Sequence, residues 1–97
     1  MILETALIHV IPGKEAEFIA AVESNGMAIL ERAEGFLGLD ISQGVERPST
    51  IMLALLWETL EDHTEKFRGG SLFTDWRAVI SPFFSQPPHV EHWEPRS

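Results

Sequence analysis

The stretch "TIMLALLWE", residues 50 to 58, is apolar at almost every position. A strand that alternates apolar and polar residues needs cover on one face. A strand that is apolar on both faces needs cover on both. "ILETALIHV", residues 2 to 10, makes the same demand less strictly. Ile2, Ala6, Ile8 and Val10 fall on one of its faces, Leu3 and Leu7 on the other, and Pro12-Gly13 ends it. Any fold for this chain has to bury two strands twice.

The intervening segments supply part of that cover. "KEAEFIAAVESNGMAILERAEG" has helical spacing, with Phe18, Val22, Ile29 and Ala33 near one stripe and Glu15, Glu23 and Glu31 outside it. Gly35 stands where a C-terminal cap belongs. Asn25-Gly26 interrupts the pattern. A mid-helix glycine costs about 1 kcal/mol against alanine, so one helix with a kink is expected. "FLGLDISQGVE" reads as a second strand, joined through "RPS" to residues 50 to 58. "LEDHTEKFR" is a short helix that Thr59 can cap, with Asp62 three residues on. Gly69-Gly70 breaks it, Ser71 can cap "LFTDWRAVI", and Pro82 stops that helix. "HVEHWE", after Pro87-Pro88, is a last strand.

The order β-α-β-β-α-β predicts a ferredoxin-like α+β fold, with a four-stranded antiparallel sheet and helices on one face. The other face of the sheet is then apolar and uncovered. An identical sheet is the simplest cover, so a homodimer joined through its sheet faces is expected. Ninety-seven residues suit a single domain, 1 to 97. A net charge of −8 disfavours nucleic acid and anionic membrane surfaces as partners. With no cysteine, disulfides and thiolate metal sites are excluded. No apolar run approaches the roughly 18 residues of a membrane span. "MILETALIHV" has no basic region before its apolar stretch, so it does not read as a signal peptide and a cytoplasmic protein is expected.

Three segments, "VIPGKEAEF" after strand one, "AEGFLGLDI" entering strand two, and "LLWETLEDHTEKFRGGSLFTDW" from strand three into the broken helix, carry a resemblance. In order and spacing the chain resembles the antibiotic biosynthesis monooxygenase-type family of dimeric α/β-barrel proteins, from about Glu4 to Trp93. The resemblance implies a head-to-head homodimer whose sheets form a barrel, with a pocket in each subunit between sheet and helices. It also implies a candidate activity, oxidation of small aromatic or polyketide-like molecules without metal, flavin or other cofactor. The haem-degrading branch of the family uses an asparagine, a tryptophan and a histidine at places that here hold Ala6, Phe67 and Arg77. The polyketide-oxidising branch surrounds its substrate with Asn, Trp, Tyr and Arg. This chain has no tyrosine, and its one asparagine, Asn25, lies in the first helix.

The candidate site residues cluster near "LEDHTEKFRGGSLFTDWR". His63 lies in the first turns of a short helix, where the dipole disfavours imidazolium. A neutral histidine is a fit general base for a phenol or enol proton; the competing reading is a hydrogen bond across the core or to the partner copy. Glu4, if it faces the helices, is a half-buried carboxylate that needs a donor, and His63 or Arg68 can supply one. Phe67, Phe73 and Trp76 recur at near-helical spacing, either as core or as a wall that stacks a flat ligand. Trp57 reads as core or interface. Arg68 and Arg77, in a chain with seven basic residues, either hold a substrate anion or pair with surface glutamates. His89 and His92 share a helix face but not a strand face, and the segment after Pro87-Pro88 is extended, so no metal site is expected there.

The expected activity is therefore a cofactor-independent monooxygenase. His63, Arg68 and Arg77 are its candidate catalytic residues, and Trp76, Phe67, Phe73 and Glu4 its candidate substrate-binding residues. The rivals are a non-catalytic dimer that binds a small hydrophobic ligand, and an isomerase or cyclase using the same pocket.

Overall fold

The computed structural model describes residues 1–96. The chain forms β1 (Ile2–His9), α1 (Glu15–Ala21), a π-helical turn (Val22–Gly26) and α2 (Met27–Leu30). There follow β2 (Phe36–Gln43), β3 (Thr50–Trp57), a π-helical segment (Asp62–Phe67), α3 (Ser71–Ile80), a 3-10 turn (Ser81–Phe83) and β4 (His89–Trp93). The sheet order is β2-β3-β1-β4, with antiparallel neighbours throughout. This is the ferredoxin-like α+β fold expected from the element order.

Strand alternation decides which side chains meet the helices. Ala6, Ile8 and Val10 face inward with Ile51, Leu53, Leu55 and Trp57, and they bury against Phe18, Val22, Leu30, Phe67, Trp76 and Ile80. Glu4 lies on the same face, opposite Leu55 of β3 and His92 of β4. The other face carries Leu3, Leu7, Met52, Ala54 and Leu56, all half-buried. Trp93 on that face is 50% exposed, and its indole N–H donates to Thr5 Oγ1 at 2.7 Å.

The first helix differs from expectation at Asn25-Gly26. It does not kink there; it widens into the π-helical turn. The extra residue moves the buried stripe, which runs Phe18, Val22, Gly26, Leu30 at intervals of four. Leu30 is therefore fully buried, and the expected core residue Ile29 is only half-buried. Gly26 fits because Trp76 packs on it: a Cβ there would stand 3.0 Å from the indole Cζ3.

Thr59 and Asp62 form a reciprocal cap before the second π-helical segment. The Asp62 N–H donates to Thr59 Oγ1 at 3.2 Å, and the Thr59 N–H donates to Asp62 Oδ2 at 3.1 Å. Ser71, expected as the cap of α3, is instead its first helical residue. Gly70 occupies the cap position in extended geometry, with no side-chain cap. The Gly69-Gly70 pair lets the chain turn before α3 begins, so the helix starts one residue earlier than a serine cap would place it.

Candidate active site

A cavity of about 300 Å³ lies between the inward face of the sheet and the two C-terminal helical segments. Glu4, Ala6, Ile8, Leu53 and Leu55 form the sheet side. His63, Phe67, Arg68, Phe73, Trp76 and Arg77 form the helical side, with Ile80, Pro88 and Val90 at the margin. The seven residues singled out from the sequence thus all border one space. Alternation on β1 sends Glu4 into it. On α3, Phe73, Trp76, Arg77 and Ile80 follow the i, i+3, i+4, i+7 spacing of one helix face.

The polar floor is buried and aromatic-packed. Glu4 is 6% exposed and His63 3%. Trp57, fully buried at the end of β3, donates its indole N–H to Glu4 Oε1 at 2.9 Å. His63 stacks on Trp57, with centroids 5.3 Å apart and planes 28° apart. Its Nε2 lies 3.3 Å from the same Oε1. On its other side, Nδ1 is 2.8 Å from His92 Nε2.

Burial sets the protonation of this floor. It pushes the Glu4 carboxyl up to about 6, against the Trp57 hydrogen bond and the Arg68 charge, which pull downward. It also pushes His63 down to about 4, helped by the charges of Arg68 and His92. Near neutral pH Glu4 is therefore a carboxylate and His63 a neutral imidazole, and their contact is not an ion pair. This alters the role expected of His63. The ring is neutral, as the helix position suggested, but both nitrogens face protein groups and its basicity is low. Glu4, titrating closer to neutrality, is the stronger base of the two.

Arg68 and Arg77 stand at the exposed rim. Neither has a carboxylate within 4 Å among the described residues, so surface ion pairing does not account for them. The Arg77 guanidinium lies 5.9 Å from the Phe73 ring centroid and 5.5 Å from that of Phe84, a cation-π clamp that fixes its direction. Two groups of the floor were not legible as site residues. Trp57 read as core, and His92 entered only as half of a metal pair with His89. Strand alternation does separate those two: His89 lies opposite Leu7 on the outer face, and His92 opposite Glu4 on the inner one.

Trp57→Phe tests the floor. It keeps the ring and removes the donor from a buried carboxylate. We expect a loss of about 1–3 kcal/mol in denaturant unfolding near neutral pH. The Glu4 carboxyl, followed by carbon NMR, should titrate at higher pH than in the wild type. A titration that does not move would remove Trp57 from the site.

Comparison with known proteins places this geometry. The family model described as antibiotic biosynthesis monooxygenase matches residues 1–79. The uncharacterised protein YczJ of Bacillus subtilis (strain 168) is 36% identical over 94 residues, covering 97% of this chain and 98% of its own. The crystal structure of a Bordetella bronchiseptica protein, provisionally described as an antibiotic biosynthesis monooxygenase, superposes with a TM-score of 0.94 at 34% identity. That match covers 99% of this chain and 97% of the other. A monooxygenase from the gene ActVA-Orf6 of Streptomyces coelicolor, in complex with Nanaomycin D, superposes with a TM-score of 0.84. It covers 99% of this chain and 88% of the other at 15% identity, and so shares the fold alone.

Proposed function

The chain belongs to the antibiotic biosynthesis monooxygenase family, and on that footing we propose that it oxidises small aromatic, polyketide-like molecules with dioxygen, as a cofactor-independent homodimer. The observation that carries this reading is the pairing of an apolar, aromatic-walled cavity with a buried carboxylate at its floor and, at its rim, two arginines that pair with no carboxylate among the described residues. A flat substrate fits between Phe67, Phe73 and Trp76. Glu4 removes a phenolic or enolic proton. Arg68 or Arg77 holds the resulting oxyanion. The electron-rich anion then reduces dioxygen itself. For a methylene between aryl rings, one oxygen atom ends in the new carbonyl and the other leaves as water with the two hydrogens. The electrons balance without an external reductant.

Oxygen uptake with a panel of anthrones and quinols is the direct test. The expected result is one dioxygen consumed per product, with one labelled oxygen incorporated from ¹⁸O₂. Tight binding of these molecules without uptake would make the protein a ligand-binding dimer instead. Product formed without oxygen would make it an isomerase or cyclase.

The homodimer is supported by the uncovered Leu3, Leu7, Met52 and Leu56. In an isologous pairing of sheets each residue meets the partner's copy of the same surface, so Leu56→Asp places two carboxylates in one apolar layer. Sedimentation is expected to show a dimer for the wild type at micromolar concentration and a single subunit for L56D. A wild type that sediments as one stably folded subunit would remove the pairing.

A further inference from the structure

His92 does not line the cavity. It stands on the edge strand β4, across from Glu4, half-buried, with its ring centroid 5.0 Å from that of His63. At 2.8 Å, His92 Nε2 and His63 Nδ1 share one proton, and either ring could carry it. The other nitrogen of His63 decides. Nε2 lies 3.3 Å from Oε1 of Glu4. An ionised carboxylate only accepts. A bare Nε2 would turn a lone pair toward a negative oxygen, whereas an N–H there is attracted. Imidazolium at His63 is opposed by burial, by Arg68 just beyond its own helical segment and by His92 from β4. The proton of a neutral His63 therefore belongs on Nε2, Nδ1 is the acceptor, and His92 is the donor.

The consequence reaches the cavity. Oε1 of Glu4 takes the Trp57 N–H and faces the His63 N–H. Oε2 accepts no hydrogen bond from the described residues, yet among those residues no fully buried side-chain oxygen lacks a partner, so Oε2 is open to the space that Glu4 borders. We infer that His92 is a positioning residue of the pocket: by donating Nε2–H to Nδ1 of His63 it reinforces the Nε2 proton that the Glu4 carboxylate favours, against Oε1, and leaves Oε2 of Glu4 as the proton acceptor facing the cavity. The word acceptor rests on the oxygenation proposed above. The tautomer assignment does not.

The test is a long-range ¹H–¹⁵N correlation of the imidazoles in the uniformly labelled full chain, near neutral pH. Wild type is expected to show both His63 and His92 protonated on Nε2 and bare on Nδ1. His92→Phe removes one of the two contacts that favour this form and is expected to weaken the preference, so that an Nδ1-protonated fraction of His63 appears beside the Nε2 form. His92→Gln, whose amide can donate to Nδ1, is expected to restore the single form. With a turnover assay in hand, H92F should lower kcat roughly 10- to 100-fold with KM near wild type, and H92Q should recover part of it. His63 protonated on Nδ1 in the wild type overturns the inference, as does an H92F spectrum with the wild-type tautomer. The wild-type spectrum decides even if H92F does not fold. Oxygen uptake absent from every form, with the expected spectra, refutes the oxygenation and leaves the positioning role standing.

Discussion

Glu4→Gln is expected to lower kcat for oxygen uptake by roughly 10²- to 10⁴-fold, the range lost with a general base, while leaving the fold intact. The substitution is nearly isosteric. The glutamine carbonyl can still accept from Trp57 and face His63 where Oε1 does now, and the amide nitrogen takes the place of Oε2 at the cavity. Basicity is lost and packing is kept. Stability should move in the opposite direction to activity. Burial raises the Glu4 carboxyl from 4.5 to about 6, equivalent to about 2 kcal/mol. A raised carboxyl pKa favours the folded state below pH 4.5, and that advantage disappears as pH rises through about 6. Wild type therefore carries the burial cost of a charge above pH 6, and E4Q does not. Relative to wild type, E4Q should gain about 2 kcal/mol between pH 4 and pH 8. His63, depressed to about 4, favours the folded state in the other direction across the same window, but it is present in both proteins, so the comparison isolates Glu4. Equal turnover by E4Q and wild type on a confirmed substrate would remove Glu4 as the base.

The second large effect concerns stability and falls on a residue far from the cavity in sequence. Gly35→Ala is expected to destabilise the protein by about 3 kcal/mol in denaturant unfolding. Two causes add. Gly35 has φ +80°, a conformation that costs a residue with a Cβ roughly 1–2 kcal/mol. That Cβ would also stand 2.1 Å from Asp62 Oδ2, so the carboxylate has to move. Oδ2 is the atom that accepts from Thr59, and Oδ1 pairs with Lys66 Nζ at 3.2 Å. Displacing it dismantles the cap, which is worth about 1 kcal/mol. The residue after Asp62 is His63, so this cap also holds the site in place. G35A should therefore lower turnover as well as stability. Asp62→Ala, which removes the acceptor and leaves the glycine alone, should show the cap loss without the strain. A G35A unfolding curve that overlays the wild type would contradict the whole account.

Local rules carried the reading of this fold a long way. Alternation on β1 and β3 identified the two-faced strands, and the punctuation at Pro12-Gly13, Gly69-Gly70 and Pro82 marked the element ends. The same period of two put Glu4 in line with Ala6 and Ile8 but left open whether that face meets the helices, which the structure shows it does. Where the reading failed, the missing information was not local. Asn25-Gly26 in a helical pattern can mean a kink, a break or a wide turn, and what selects the wide turn is Trp76, fifty residues further along, resting on Gly26. The burial of Leu30 in place of Ile29 follows from that choice. Trp57 looked like core because its apolar bulk is what the strand pattern records; its N–H found Glu4 only through the β1–β3 register. His92 was hidden for the same reason. Nothing near "HVEHWE" in the chain says that β4 pairs with β1, or that its second inward position stands beside the histidine of a helix. Long-range register, more than residue type, separated the visible part of the site from the invisible part.

The turn at Val22–Gly26 also bears on how this chain tolerates changes of length. An ordinary helix holds about 3.6 residues per turn, so each residue gained or lost swings everything beyond it by about 100°. Here one surplus residue is already absorbed. A one-residue deletion between Val22 and Gly26 would let the coil tighten to regular geometry without turning the segment beyond it, so Leu30 would keep its place in the core. The helix thus has two lengths compatible with one frame, and the bare α-carbon under an indole is what accommodates the longer one.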